Sequence, residues 1–163
     1  MLIRPLAPAD AEAYRALRLA GIAELPSAFR TTHAAESAQP LARMQQRLLQ
    51  TPFQRWFGAF HGDALVGIAC FKREPIALVH DRATIWGVYV APLARGAGVA
   101  RQLMLAALDH AGTIPGLTRI GLSVERSNGA AAALYMSLGF AFADMGEHDQ
   151  GEALMQRAVL LPA

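Results

Sequence analysis

Val88-Tyr89-Val90-Ala91-Pro92-Leu93-Ala94-Arg95-Gly96-Ala97-Gly98-Val99-Ala100-Arg101-Gln102-Leu103 is the stretch whose reading decides the fold. A β-branched segment leads into a turn closed by Pro92, then a loop with two glycines, then a helix that begins near Gly98. That order makes an anion cradle. The glycines let backbone N–H groups converge, and the helix start adds unpaired donors and a partial positive charge. Three readings compete: a plain strand-loop-helix connection, a dinucleotide fingerprint, or a loop for another phosphate-bearing ligand. The fingerprint fits poorly, because Gly96-x-Gly98-x-x-Arg101 puts arginine where a third glycine must permit close helix–strand packing.

Totals narrow the classes. At 163 residues, with 53% hydrophobic and 17% charged, the chain suits one domain, 1–163, with a substantial core. No apolar run approaches the roughly 20 residues of a spanning helix, and Met1 to Pro5 lacks the apolar region of a secretory signal. A soluble, cytoplasmic protein that does not use a membrane is the expectation. Cys70 is the single cysteine, so no intrachain disulfide or cysteine-rich metal site is expected, and its apolar run Val66 to Phe71 suits an inert buried thiol. The net charge of +2 is spread over scattered arginines, with Lys72 the sole lysine, which gives no reason to expect nucleic acid.

Outward from the opening stretch, the elements fall into order. Leu2 to Leu6 reads as an edge strand that tolerates Pro5. A helix follows Pro8, with Ala11, Tyr14, Leu17, Gly21 and Leu25 on one face. Ser27 to Pro40 reads as irregular, and a second helix as Leu41 to Gln50, with Met44 and Leu48 inward. Trp56 to Phe60 and Ala64 to Phe71 flank the hairpin signal His61-Gly62-Asp63. Ala83 to Val90 is a further strand. Beyond the helix closed by Gly112 and Pro115, Leu117 to Val124 is a strand parallel to it if the crossover is right-handed. Ser127-Asn128-Gly129 starts the last helix, and Phe140 to Phe142 and Ala153 to Leu161 form a last strand pair around the loop Gly146 to Gly151. The order is β-α-α-β-β-β-α-β-α-β-β, an α/β (α+β) mixed sheet of six to seven strands with four helices on its faces.

Two motifs then carry a resemblance. Arg95-x-x-Gly98-x-Ala100, after the strand Gly87 to Val90, resembles the signature of the GNAT N-acetyltransferases. Asn128-Gly-Ala-Ala131-Ala-Ala-Leu134-Tyr135-Met-Ser-Leu138-Gly139-Phe140 resembles the same family's N-x-x-A-x-x-L-Y-x-x-x-G-F element. They occur in the family's order, separated by one helix and one strand, and the element order matches its fold end to end.

The resemblance implies a mostly antiparallel sheet with one splayed parallel pair, and acetyl-coenzyme A as cosubstrate, with no metal. It implies pyrophosphate on the amides of Gly96, Ala97, Gly98, Val99, Ala100 and Arg101, beside Arg95. Pantetheine would lie along Val88, Tyr89 and Val90, where a bulge opens the strands and exposed edges pair with it as with a substitute strand. Val90 would bond the pantetheine, and the Val88 N–H would polarise the thioester carbonyl. Tyr135 would protonate the departing thiolate; without the motif it is a half-buried helix residue with a satisfied hydroxyl. Asn128 suits a helix cap and a cofactor contact equally.

The implied activity is direct transfer of acetyl in a ternary complex to a primary amine of a small molecule, peptide or protein. The alternative is a noncatalytic acyl-coenzyme A-binding regulatory domain on the same fold. Thr84 stands where some members have a glutamate base, so an ordered water chain, an already neutral amine, Glu74, Glu125, His33 or His148 must serve. Cys70 is poorly placed for a covalent intermediate. The region Arg18 to Glu36, with Glu24, Phe29 and His33, suits a polar amine acceptor of unknown identity, and exposed strand edges admit a homodimer.

Overall fold

A computed structural model describes residues 1–143 and 151–160 of the chain. Most of the expected loop Gly146 to Gly151, and with it His148, lies outside the described residues. Seven strands form one sheet: β1 (Leu2–Pro5), β2 (Gln54–His61), β3 (Ala64–Arg73), β4 (Arg82–Val90), β5 (Arg119–Glu125), β6 (Ala141–Phe142) and β7 (Glu152–Ala158). Their spatial order is β1-β2-β3-β4-β5-β7-β6, and β4 with β5 is the parallel pair in an otherwise antiparallel sheet. The helices are α1 (Ala11–Glu24), α2 (His33–Ser37), α3 (Leu41–Arg47), α4 (Val99–Gly112) and α5 (Gly129–Ser137).

Strand alternation sends side chains to two separate cores. On one face, Phe57, Ala59, Phe71 and Ile85 pack with Leu103, Met104 and Ala107 of α4 and with Tyr135 and Leu138 at α5. On the other, Trp56, Phe60, Ile68 and Cys70 pack with Tyr14 and Leu17 of α1 and Met44 of α3. Each fully buried Leu, Ile or Phe contributes about 1.5–3 kcal/mol of transfer free energy, so both faces are firmly closed. Cys70 is fully buried and its thiol is pushed well above its ordinary range by burial, in keeping with an inert role.

Three local expectations need correction. Five helices, not four, flank the sheet among the described residues, because α2 forms inside the stretch expected to be irregular. Thr32 caps it, its Oγ1 accepting from Ala35 N at 3.0 Å. Next, α3 stops at Arg47, short of Gln50. Leu48 N–H is shared between the carbonyls of Met44 and Gln45, a tightened last turn that still leaves Leu48 buried. Finally, Leu25 is exposed rather than on the core face, since α1 ends at Glu24 and the backbone at Leu25 leaves the helical region.

The feature that positions the site is the seam between β4 and β5. Their ladder joins Arg82, Ala83 and Thr84 to Arg119, Ile120 and Gly121, and no further pair is formed toward Val90. On the other side of β4, Ile68 faces Tyr89 and Cys70 faces Trp86, so Ala69 alone stands opposite Gly87 and Val88. This is a bulge, and Gly87 takes φ +65 to make it. A Cβ there would also meet Trp56 Cη2 at 2.8 Å. Glycine is therefore required twice over, by conformation and by space.

Candidate active site

Beyond the seam the strands part around a cavity of about 750 Å³. It passes through the plane of the sheet. Trp86, Gly87, Val88 and Tyr89 of β4 line one side, Leu122 to Glu125 of β5 the other, Asn128, Ala131 and Tyr135 the α5 wall, and Arg18, Phe29 and Glu36 the opposite end. From Ile85 to Val90, β4 offers a backbone edge with no partner strand on the β5 side. Such an edge must be paired by something, and an extended polar chain can do it.

At the far end of that edge, the loop reaches α4. Gly96 and Gly98 have φ +82 and +77, and a Cβ at either would meet nothing within 4 Å. Gly98 is the N-cap of α4, whose first internal bond runs from Gln102 N to Gly98 O at 3.1 Å. The N–H groups of Val99, Ala100 and Arg101 therefore have no intrahelical partner. An open cradle with a helix start beneath it has the donors and the space that a phosphate-bearing ligand needs.

Side chains in this region are already engaged. Arg95 Nε donates to Val90 O at 3.0 Å, and its Nη1 reaches Glu24 Oε1 at 2.7 Å. Tyr89 donates its hydroxyl to Glu24 Oε2 at 2.6 Å. These bonds, Arg95 first, hold the Glu24 carboxyl below its usual range, while Tyr89 is raised by burial and then by its bond to Glu24. Val90 and Arg95 are thus brought together by one bond. Arg101 lies outside the cluster, donating to Ser137 Oγ at 2.9 Å.

On α5, Asn128 Oδ1 accepts from Ala131 N at 3.1 Å, so Asn128 caps the helix while also lining the cavity. Tyr135 is buried, its phenol raised by desolvation. The satisfied hydroxyl of the bland alternative is not seen: Tyr135 bonds no partner among the described residues, and it faces the cavity. Of the candidate bases, Glu125 lines the cavity, whereas Glu74 and His33 do not. Thr84 sits within the seam, paired to Gly121 and Lys72 on its two sides, and does not reach the cleft.

Sequence reasoning passed over Trp86, Ser123 and Glu152, which also line the cavity. Gly87 is the signal that was available, since an isolated glycine inside a strand pattern marks a bulge or a close approach.

The fold, the seam and the loop all point one way, and the model of the Acetyltransferase (GNAT) family matches residues 19–140. This chain belongs to the GNAT acetyltransferase family. Among curated proteins, a mycothiol acetyltransferase of Brachybacterium faecium is 31% identical to this GNAT chain over 133 residues, covering 80% of this chain and 38% of that protein. The chain thus spans little more than a third of that relative's length. An acetyltransferase of the GNAT family from Streptococcus pneumoniae superposes with a TM-score of 0.80 at 20% identity, covering 97% of this chain and 98% of the other. The PaiA N-acetyltransferase of Thermoplasma acidophilum, solved in complex with coenzyme A, gives 0.73 at 19% identity, over 96% and 98%. At those identities the two structures speak for the GNAT fold.

Proposed function

We propose that this chain is an N-acetyltransferase that moves acetyl from acetyl-coenzyme A directly to a primary amine. The single observation that carries this is the through-sheet cleft, whose β4 edge, without a partner strand, runs into the Gly96–Gly98 cradle. The cradle and the first N–H groups of α4 hold the pyrophosphate, and the β4 edge from Val88 to Val90 pairs with the pantetheine arm. When bound, the cosubstrate supplies the activated acyl group as a thioester.

The chain's own groups do the rest. The Val88 N–H, beside the bulge on the edge without a partner strand, stabilises charge developing on the thioester oxygen. The amine nitrogen forms its bond to the acyl carbon as the C–S bond breaks, the nitrogen's proton passes to Glu125 or to water, and Tyr135 donates its proton to the leaving sulfur. Much of the rate comes from holding amine and thioester in line.

Arg95 acts by shaping the loop through Val90 and Glu24, and Asn128 by fixing the start of α5. The chain works as one catalytic unit on an acceptor in the cytoplasm, with a homodimer through exposed strand edges as its simplest assembly. The curated relatives named mycothiol acetyltransferases favour a small-molecule acceptor over a protein one.

Calorimetry with acetyl-coenzyme A tests the reading, together with thiol release across a panel of amines and peptides. Saturable binding that is lost in the Arg95→Glu, Gly98→Asp double variant, with amine-dependent thiol release, is the expected result. Absence of binding overturns the reading, and binding without release for every acceptor favours a regulatory domain instead.

A further inference from the structure

The α1 end of the cleft carries a charge that the transfer chemistry does not use. Arg18 projects from α1 with its side chain only 7% exposed, and its Nε donates to Glu36 Oε1 at 2.7 Å. Arg47 Nη1 donates to that same oxygen at 2.8 Å. Glu36 is itself 2% exposed; burial pushes its carboxyl upward, but the two arginines outweigh that and hold it below its usual range. Two cations share one anion, so the trio carries one positive charge in excess.

Around Arg18 the surroundings are aromatic. Its guanidinium carbon lies 5.5 Å from the Phe29 ring centroid, 5.7 Å from Tyr14 and 5.9 Å from Trp56. Those faces accommodate a cation but supply no acceptor. Arg18 lines the cavity, and its two terminal nitrogens bond no partner among the described residues. Those donors open onto the cavity, where a ligand's acceptor can replace the solvent that meets them. With Nε taken by Glu36, the free end of the guanidinium is a planar fork whose two parallel N–H groups match a carboxylate.

The same cavity also carries negative charge. Glu125 and Glu152 line it and are cross-strand partners on β5 and β7, with Arg30 3.5 Å from Glu152. A ligand with a cationic and an anionic end suits such a two-signed cleft.

We propose that the acceptor is a small primary amine that also carries a carboxylate, and that Arg18 is the residue that selects it. The inference rests on the acetyl-transfer reading and names its substrate class. Arg18 receives the carboxylate, Glu36 and Arg47 hold the fork in place, and the amine is turned toward Glu125 and the thioester. A doubly charged phosphonate or phosphate matches less well, because the trio offers one excess charge and places Glu36 beside it.

Thiol release should be measured for amino acids, for the matching amino-acid amides, and for aminoalkylphosphonates. The acids are expected to exceed their amides in kcat/KM by about tenfold or more, since a site built around a charged donor pair rejects analogues that cannot satisfy it. Arg18→Met should bring that ratio to about one while leaving the KM for acetyl-coenzyme A within about twofold, and Arg18→Lys should keep part of the preference. A second readout does not depend on transfer. The chain has two tryptophans, Trp56 beside Arg18 and Trp86 in the cavity wall, so amino acids should change intrinsic fluorescence saturably, with and without coenzyme A, where amides do not.

Equal turnover and binding of acids and amides by the wild type, or preference for the phosphonates, overturns the proposal. Should acetyl-coenzyme A fail to bind, the transfer reading falls, and the fluorescence titration alone still decides whether Arg18 holds a carboxylate. Should Arg18→Met lose its circular dichroism, the wild-type ratio and Arg18→Lys decide it.

Discussion

Arg95 grips Glu24 through two bonds, Nη1 to Oε1 at 2.7 Å and Nη2 to Oε2 at 3.0 Å, and so ties the glycine loop to the last residue of α1. The signature arginine is committed to the protein, and on the proposed reading it serves donor binding by fixing the loop. Glu24→Ala should therefore weaken acetyl-coenzyme A, and by less than about fivefold, because the pair is solvent-facing and screened. Calorimetry at low and moderate salt checks this. A gain in affinity would mean instead that Glu24 competes with the pyrophosphate for Arg95.

Tyr135 offers a cavity-facing hydroxyl on a buried ring. Tyr135→Phe keeps the packing against Leu138 and Phe140 and removes the proton. Turnover should fall about tenfold to a hundredfold with the KM for acetyl-coenzyme A changed by no more than about twofold, as steady-state thiol release would report. A raised KM for acetyl-coenzyme A with turnover unchanged would instead assign the residue to donor binding.

Gly87 is both left-handed and crowded by Trp56. Gly87→Val should destabilise the fold by about 2–3 kcal/mol, combining backbone strain with displacement of a buried indole. Urea unfolding measures it. A smaller loss in Gly87→Ala, with thiol release reduced in both variants, would show that the bulge serves the cleft as well as the fold.

Glu36 supports two arginines from a position nearly sealed from solvent. Glu36→Gln should cost about 3 kcal/mol near neutral pH, since removing one partner strands the others. Its folded carboxyl lies below the usual range, so that stabilisation is complete above an unfolded value of 4.5 and is lost as pH falls through the folded value. Stability curves of wild type and variant should accordingly draw together as pH falls below the unfolded value of 4.5 and on through the lower folded value.

The sheet was legible in advance because its strands alternate and its two motifs are contiguous. Val88 to Leu103 and Asn128 to Phe140 each lie within one strand-loop-helix or helix unit, where spacing along the chain maps directly onto geometry. The cradle, the parallel pair and the cleft-facing Tyr135 followed from them. What escaped was everything that depends on distant side chains meeting. Arg18 and Glu36 are 18 residues apart and Glu24 and Arg95 are 71 apart. No local pattern encodes such meetings. The short helix α2 escaped for a different reason: its five residues show no periodicity, and the capping oxygen of Thr32 was its one marker.

Confining the β4–β5 ladder to one end gives the cleft a length as well as an opening. From Ile85 to Val90 is five steps along a strand, and at about 3.3 Å per residue the open edge measures about 17 Å. On the proposed reading, its Val88 to Val90 end spaces the phosphate cradle from the reacting carbon. A carrier with a shorter arm can engage one or the other but not both at once. Truncated thioesters that keep the acyl group and discard the nucleotide would therefore surrender alignment along with affinity, however reactive their sulfur.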